Sequence, residues 1–288
     1  MEIPRITMPD SMRQALIATA WPDVTLLGDQ AGQQEWLAKV GSSVSGFEEL
    51  MREAEALLRQ AGSVIMEGCV VEPDGAVALL GAHFGYVDPV GNGHPPRPVF
   101  DVTPRRDQDG NVSMSGSSRG AGFFEMHNDS ASFVHPHTHI MLACVISQPG
   151  SGQSITIAAD AIAGELARQG AVGSLAALAD PVYPFLRGIV SPDEVVTGAV
   201  LYRSGDHWSA RYSRQFLDAG LALRPLDSAH VRALRDFEAA LGGPGLAVEF
   251  TLAPGEVWLV ENDRWLHGRR AIDPRATRLL KRCKIYSR

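Results

Sequence analysis

Phe123-Phe124-Glu125-Met126-His127-Asn128-Asp129 is the stretch from which the rest of the chain can be read. As a β-strand it sends alternate side chains to opposite faces, so Phe123, Glu125, His127 and Asp129 share one face, and Phe124, Met126 and Asn128 the other. An imidazole and a carboxylate two residues apart on a rigid strand supply two corners of a 2-His-1-carboxylate facial triad, which leaves half of a metal's octahedron open. The third corner has to be a distant histidine. Trp265-Leu266-His267-Gly268-Arg269 offers one: it follows the apolar run Val257-Trp258-Leu259-Val260 and its polar exit Glu261-Asn262-Asp263, so a strand and a short loop return His267 to the same pocket.

Beyond His267 comes Arg278-Leu279-Leu280-Lys281-Arg282-Cys283-Lys284-Ile285-Tyr286, which as a strand places Arg278, Leu280 and Arg282 on one face. Guanidinium groups turned into a barrel are costly unless anions meet them. A dicarboxylate fits that need, because the planar fork of arginine matches a carboxylate with two parallel hydrogen bonds.

In these motifs the chain resembles the Fe(II)- and 2-oxoglutarate-dependent oxygenases of the taurine dioxygenase and clavaminate synthase-like superfamily. After its H-x-D pair that family has a proline-containing loop, an apolar strand and a Gly-rich turn. Here these read His135-Pro136-His137-Thr138, Ile140 to Val145, and Gly150-Ser151-Gly152-Gln153-Ser154. The family's distal histidine and downstream arginine are commonly eleven to fourteen positions apart; Arg278 lies eleven after His267 (278 − 267) and Arg282 fifteen after (282 − 267). The family's N-R-x-x-H-G-R run appears as Asn262 to Arg269 with Asp263 inserted, and Ser154 stands where the family has a threonine.

The resemblance implies that His127, Asp129 and His267 hold Fe(II). The C5 carboxylate of 2-oxoglutarate would lie against Arg278 and the Ser154 hydroxyl, with Arg282 bracing the cosubstrate or taking an acidic group of the substrate. O2 is the second cosubstrate. It further implies a hydroxylase acting on a C–H bond of a small amino-acid-like metabolite, with release of succinate and CO2, in antibiotic or secondary metabolite biosynthesis. Desaturation or cyclisation of a natural-product intermediate uses the same parts. Halogenation does not follow, because Asp129 is retained where chlorinating relatives carry a small residue.

Three further residues are candidates for substrate contact. Glu125, on the face expected to carry the metal ligands, could hold an amino or guanidino group. Arg119, eight positions before His127, and Arg211, beside Tyr212, could bind an acidic one. Two competing readings remain. His135, His137 and His139 alternate and could bind zinc, as in a hydrolase, although no carboxylate or cysteine accompanies them. A non-catalytic jelly-roll binding protein is the other, disfavoured by a full ligand set beside an anion clamp.

The chain has 288 residues, of which 45% are hydrophobic and 20% charged, enough for one sizeable core with additions. A net charge of −7 argues against nucleic acid or an anionic membrane as the default partner, and the resemblance implies a small-molecule substrate. It leaves a homo-oligomer open. Cys69, Cys144 and Cys283 are widely spaced and form no disulfide or zinc framework. Met1 to Arg5 lacks the apolar core of a signal peptide, and no run is long enough to span a bilayer, so a cytoplasmic location is expected.

Ser45-Gly46-Phe47-Glu48 reads as a capping box, followed by a helix that Gly62 stops. Ser63 to Met66 and Ala76 to Leu80 read as strands around the turn Glu72-Pro73-Asp74-Gly75. Residues 83–120, rich in Gly, Pro, Asn and Ser, read as a lid loop around a strand at 98–102. Helices are expected at Asp160 to Gly170 and on to Leu178, and from Ser228 as N-cap to Leu241. Strands are expected at Val195 to Tyr202, His207 to Tyr212, Ala247 to Leu252 and Glu256 to Val260. The expected fold is mainly β with helical additions (α+β), built on a double-stranded β-helix, the cupin-like jelly roll. One oxygenase domain over 1–288 is expected. Its mostly helical lead-in covers 1–60, and its jelly-roll core covers 61–288 with a helical insert near 160–180.

Overall fold

The computed structural model describes residues 2–89, 97–186 and 194–287. The chain opens with β1 (Arg5–Thr7), α1 (Asp10–Ile17), a 3-10 turn (Val24–Leu27), α2 (Gln30–Ser43), α3 (Phe47–Ala61), β2 (Ser63–Glu67) and α4 (Asp74–Phe84). Then follow β3 (Tyr86–Val87), β4 (Phe100–Val102), β5 (Phe124–His127), β6 (His139–Ile146) and β7 (Ser154–Ala158). The helical insert holds α5 (Ala159–Arg168), α6 (Val172–Leu178), β8 (Tyr183–Phe185), β9 (Val196–Gly198), β10 (Leu201–Ser204), β11 (His207–Ala210), α7 (Arg214–Leu221) and α8 (Ser228–Leu241). The chain returns through β12 (Val248–Phe250), β13 (Val257–Glu261), β14 (Trp265–Arg269) and β15 (Leu279–Tyr286).

Two sheets form the jelly roll. The larger runs β1-β2-β13-β6-β15-β3, with β4 also on β15; the smaller runs β12-β7-β14-β5. Strict alternation builds the layers. On β13, Trp258 and Val260 face the space between the sheets, while Val257 and Leu259 face outward. The inner core joins Ile65, Ile140, Trp258 and Leu280 of the large sheet to Ala158 and Trp265 of the small one. The outer face of the large sheet is covered by α1 to α4, and Ile157 and Leu266 on the outer face of the small sheet pack into the insert, including α5 and α8. With both faces buried, β2 and β13 read as continuous apolar runs rather than alternating ones.

Several local expectations are corrected. Ala76 to Leu80 is not a strand but the middle of α4, with nearly every residue buried, so its apolar run carries no period by which to tell the two apart. Ser45 does not cap α3, whose N-cap is Gly46 in the left-handed conformation (φ 77°). Gly62 does end that helix, at φ 71°. The cap of α8 is Asp227, whose carboxylate accepts from the backbone N–H groups of Ala229 and His230; Ser228 is the first helical residue. The 83–120 stretch is not one loop: β3 and β4 both pair with β15, and Arg106 bridges Val112. Residues 90–96 of that stretch lie outside the described residues.

Candidate metal and anion site

His127 on β5 stands directly opposite His267 on β14, so antiparallel pairing sets the two imidazoles side by side with ring centroids 4.6 Å apart. Asp129, two residues past His127, completes the group: one donor atom from each of the three residues lies within 4.8 Å of the others. All three are buried. His127 Nδ1 lies 2.8 Å from the Glu125 carbonyl, which can only accept, so Nδ1 carries the proton and Nε2 is left to bind.

Two asparagines fix the ligands to each other. The Asn128 side chain donates to the carbonyls of Asn262 and Trp265, while its Oδ1 accepts the Tyr212 N–H at 2.8 Å. Asn262 accepts the Asp129 N–H at 3.0 Å and donates to the Asp129 carbonyl at 2.9 Å and to the His137 carbonyl at 2.8 Å. The exit of β5, with Asp129 just past it, is thereby tied to the entrance of β14, which carries His267.

The alternation expected along Phe123 to Asp129 fails at one point. His267 pairs with His127, but Arg269 pairs with Phe124, so two steps on β14 span three on β5. This β-bulge flips the strand before the histidine. Phe124, not Glu125, shares the inner face with His127; their rings are 4.1 Å apart, and Phe124 lines the cavity. Glu125 is exposed, so it does not share the inward face assigned to it from sequence.

Arg278, Arg282 and Ser154 line the same cavity as the three ligands, together with Trp258 and Arg269. Arg278 is buried, and its NH1 has no hydrogen-bond partner among the described residues. Burial, then the neighbouring Arg269, pull its pKa down to about 10. Burial lowers Arg269 to about 10 as well, but that side chain spends its donors on backbone: NH1 on the Arg270 carbonyl at 2.8 Å, NH2 on the carbonyls of Gly120 at 2.7 Å and Gly122 at 3.0 Å. Two buried cations side by side, one with an open donor, form a seat for an anion. Gly152 lets the turn approach that seat, since a Cβ there would stand 2.7 Å from Ile272 Cγ1 and 3.4 Å from Arg278 Cδ. Arg269 was missed in the sequence, although alternation from His267 points to it.

Electrostatics match a metal site. Burial would raise the Asp129 carboxyl, but Arg282, Lys284 and both histidines outweigh it and hold it far below the usual carboxylate range. Burial, with His127 adding to it, pushes His267 down to about 3, and burial lowers His127. The three groups thus rest as neutral imidazoles and a carboxylate, the protonation states that a bound metal would need. The buried Nδ1 of His267 has no partner among the described residues.

The other predicted residues fall elsewhere. Arg119 does not line this cavity; its guanidinium sits 5.6 Å from the Phe100 ring, which Arg282 approaches to 5.2 Å, and its Nε is buried without a hydrogen-bond partner among the described residues. Arg211 lies outside it too. Arg211 Nε donates to the Ala131 carbonyl and NH2 to the Phe133 carbonyl, both at 2.6 Å, with the guanidinium over Phe185, so it braces the chain just after Asp129. The imidazoles of His135, His137 and His139 do not converge: His135 is exposed, His137 is buried between Ser130 and Asp88, and the group able to hold a metal among the described residues is His127, Asp129 and His267.

Residues 180–284, which include His267 and Arg278, match the model of the taurine catabolism dioxygenase TauD, TfdA family. Solved structures extend the likeness to the whole fold. An asparagine oxygenase in complex with Fe(II), 2S,3S-3-hydroxyasparagine and succinate superposes with a TM-score of 0.75 at 19% identity, over 98% of this chain and 93% of that one. The non-heme iron oxygenase OrfP in complex with Fe and alpha-ketoglutaric acid gives 0.76 at 18% identity, over 100% and 95%. The same oxygenase in complex with Fe, succinate and (3S)-hydroxy-L-Arg gives 0.74 at 16%, over 99% and 95%. No curated protein matches the chain. The chain therefore shares the overall fold of these solved structures.

Proposed function

We propose that this protein is an Fe(II)- and 2-oxoglutarate-dependent oxygenase that hydroxylates a small amino-acid-like metabolite in the cytoplasm, residues 1–288 acting as one domain. The observation that carries the reading is a single cavity holding both a buried His/Asp/His group and a buried arginine with an open donor. His127, Asp129 and His267 would hold the iron. Arg278 would take the far carboxylate of the cosubstrate, with Ser154 on the adjacent β7 wall. When bound, iron with 2-oxoglutarate and O2 supplies oxidation of a C–H bond coupled to decarboxylation of the cosubstrate.

The chain's own residues do the positioning. Phe124 and Trp258 close the site against water around the two imidazoles, with rings 4.1 Å from His127 and 6.1 Å from His267. Arg282, which lines the cavity beside Asp129, would receive an acidic group of the substrate near the metal. The solved relatives support the amino-acid part, one holding hydroxyasparagine and another hydroxyarginine. No helix among the described residues is long and apolar enough to cross a membrane.

Anaerobic titration of the apo protein with Fe(II) and 2-oxoglutarate tests the reading. A weak visible charge-transfer band requiring both additions, and lost in Asp129→Ala, is expected. Its absence from the wild-type protein would overturn the assignment. Amino acids would then be screened by the succinate release they stimulate.

A further inference from the structure

Behind Asp129 lies a hydrogen-bonded chain that the proposed reaction does not use. Asp88 Oδ2 lies 2.9 Å from His137 Nε2, His137 Nδ1 lies 2.7 Å from Ser130 Oγ, and Lys284 Nζ lies 3.3 Å from the same Oγ. Asp88, Ser130 and His137 are buried, and His137 stacks on Tyr286 at 4.3 Å. The chain has one direction. The Asp88 carboxylate accepts, so Nε2 of His137 carries a proton; burial favours the neutral ring, so Nδ1 accepts from the Ser130 hydroxyl. The oxygen of Ser130 then keeps its lone pairs for the Lys284 ammonium.

The ammonium is the reason such a chain matters. Lys284 Nζ stands 3.8 Å from Asp129 Oδ1, while Arg282 holds Asp129 Oδ2 at 3.2 Å. Oδ1 is also the oxygen 3.9 Å from His127 Nε2, so it is the one turned toward the metal position. The two already attract as an ion pair, and an ammonium that closed the gap to hydrogen-bonding distance would occupy Oδ1 and compete with a divalent cation for it. Ser130 takes up a donor of Lys284 short of that contact. Ser130 is also the described non-glycine residue with positive φ, at 61°, a conformation that L residues adopt at a cost. The turn sets its hydroxyl between His137 and Lys284.

We propose that Ser130, oriented by His137 and Asp88, is a positioning residue that tethers Lys284 and so keeps the metal-facing oxygen of Asp129 available. The inference rests on the reading of His127, Asp129 and His267 as the metal ligands, and the test separates the two.

Co(II), which reports its coordination through visible d–d bands, would be titrated into full-length apo protein. Ser130→Gly removes the hydroxyl while relaxing the backbone, and should weaken Co(II) binding at least tenfold, in the range expected when a group supporting a metal ligand is lost. Lys284→Met should bind Co(II) as tightly as wild type or tighter. The double variant Ser130→Gly/Lys284→Met should recover the affinity and d–d spectrum of Lys284→Met, a rescue that a general loss of packing would not give. Wild-type affinity in Ser130→Gly, or a double variant as weak as Ser130→Gly, would overturn the tether. If Ser130→Gly does not fold, His137→Phe, which keeps the stack on Tyr286, decides in its place: weakened binding is expected, and unchanged binding overturns the proposal. Co(II) binding by wild type that survives Asp129→Ala would instead sink the ligand assignment, and the tether with it.

Discussion

Arg278 shows what a binding site costs its own protein. A guanidinium without a carboxylate partner among the described residues is carried into the core, and the proposed reading gives it an anion to meet. Arg278→Leu should therefore raise the melting temperature of the apo protein, while 2-oxoglutarate affinity falls at least thirtyfold, or ~2 kcal/mol, the cost of removing one side of a buried charge pair. Thermal shift with and without 2-oxoglutarate reads both effects. A variant that is less stable than wild type and still stabilised by the ligand would refute the assignment. The residues that the fold gathers in the cavity were legible one at a time: His127, Asp129, His267 and Arg278 stand in recognisable spacing. Glu125 was misread for a reason no pattern shows, since a bulge created by pairing with β14 reverses the face of the residues before His127.

Among the elements, turns and caps set what the strands can present. Gly152 sits at φ 65° in the turn before β7, against Ile272 and Arg278. Gly152→Ala should destabilise the fold by about 1–2 kcal/mol, the cost of a side chain in the left-handed region. It should also weaken 2-oxoglutarate binding by crowding Arg278. Denaturant unfolding and the charge-transfer titration check the two effects separately.

In the first turn of α8, His230 Nδ1 lies 2.8 Å from Asp227 and Nε2 3.0 Å from Asp180, and these hydrogen bonds raise its pKa above 6.5. A raised histidine stabilises the folded protein fully below its unfolded pKa and loses that contribution as pH climbs through the folded value. The melting-temperature deficit of His230→Asn should be largest near about pH 6 and shrink as pH rises. A deficit constant with pH would rule out the charged pairing.

At the scale of the molecule, the two sheets enclose the cavity while helices on both outer faces supply separate apolar layers. Phe237 of α8 is fully buried in the layer behind the small sheet, with Leu266 on the other side of that sheet from the metal ligands. Phe237→Ala should cost about 3–5 kcal/mol of stability, as large-to-small core changes do. It should leave Co(II) affinity at low temperature within a few-fold of wild type, because its layer does not touch the ligands. Denaturant unfolding paired with Co(II) titration makes that comparison, and a matching loss in both would show that the insert shapes the site directly.

The sequence by itself picked out His127, Asp129, His267 and Arg278, which the fold brings to one cavity, and the jelly-roll class, because these rest on period-2 alternation and on residue types whose burial is costly without a partner. It placed α4 wrongly, since an apolar run buried on every side has no period to read. Only the tertiary structure decided which neighbours face the cavity and what stands behind it: the bulge in β5, Arg269 beside Arg278, and the Ser130, His137 and Asp88 chain behind Lys284. Each depends on pairing between residues far apart in the chain, and register across a sheet is a property of two strands together.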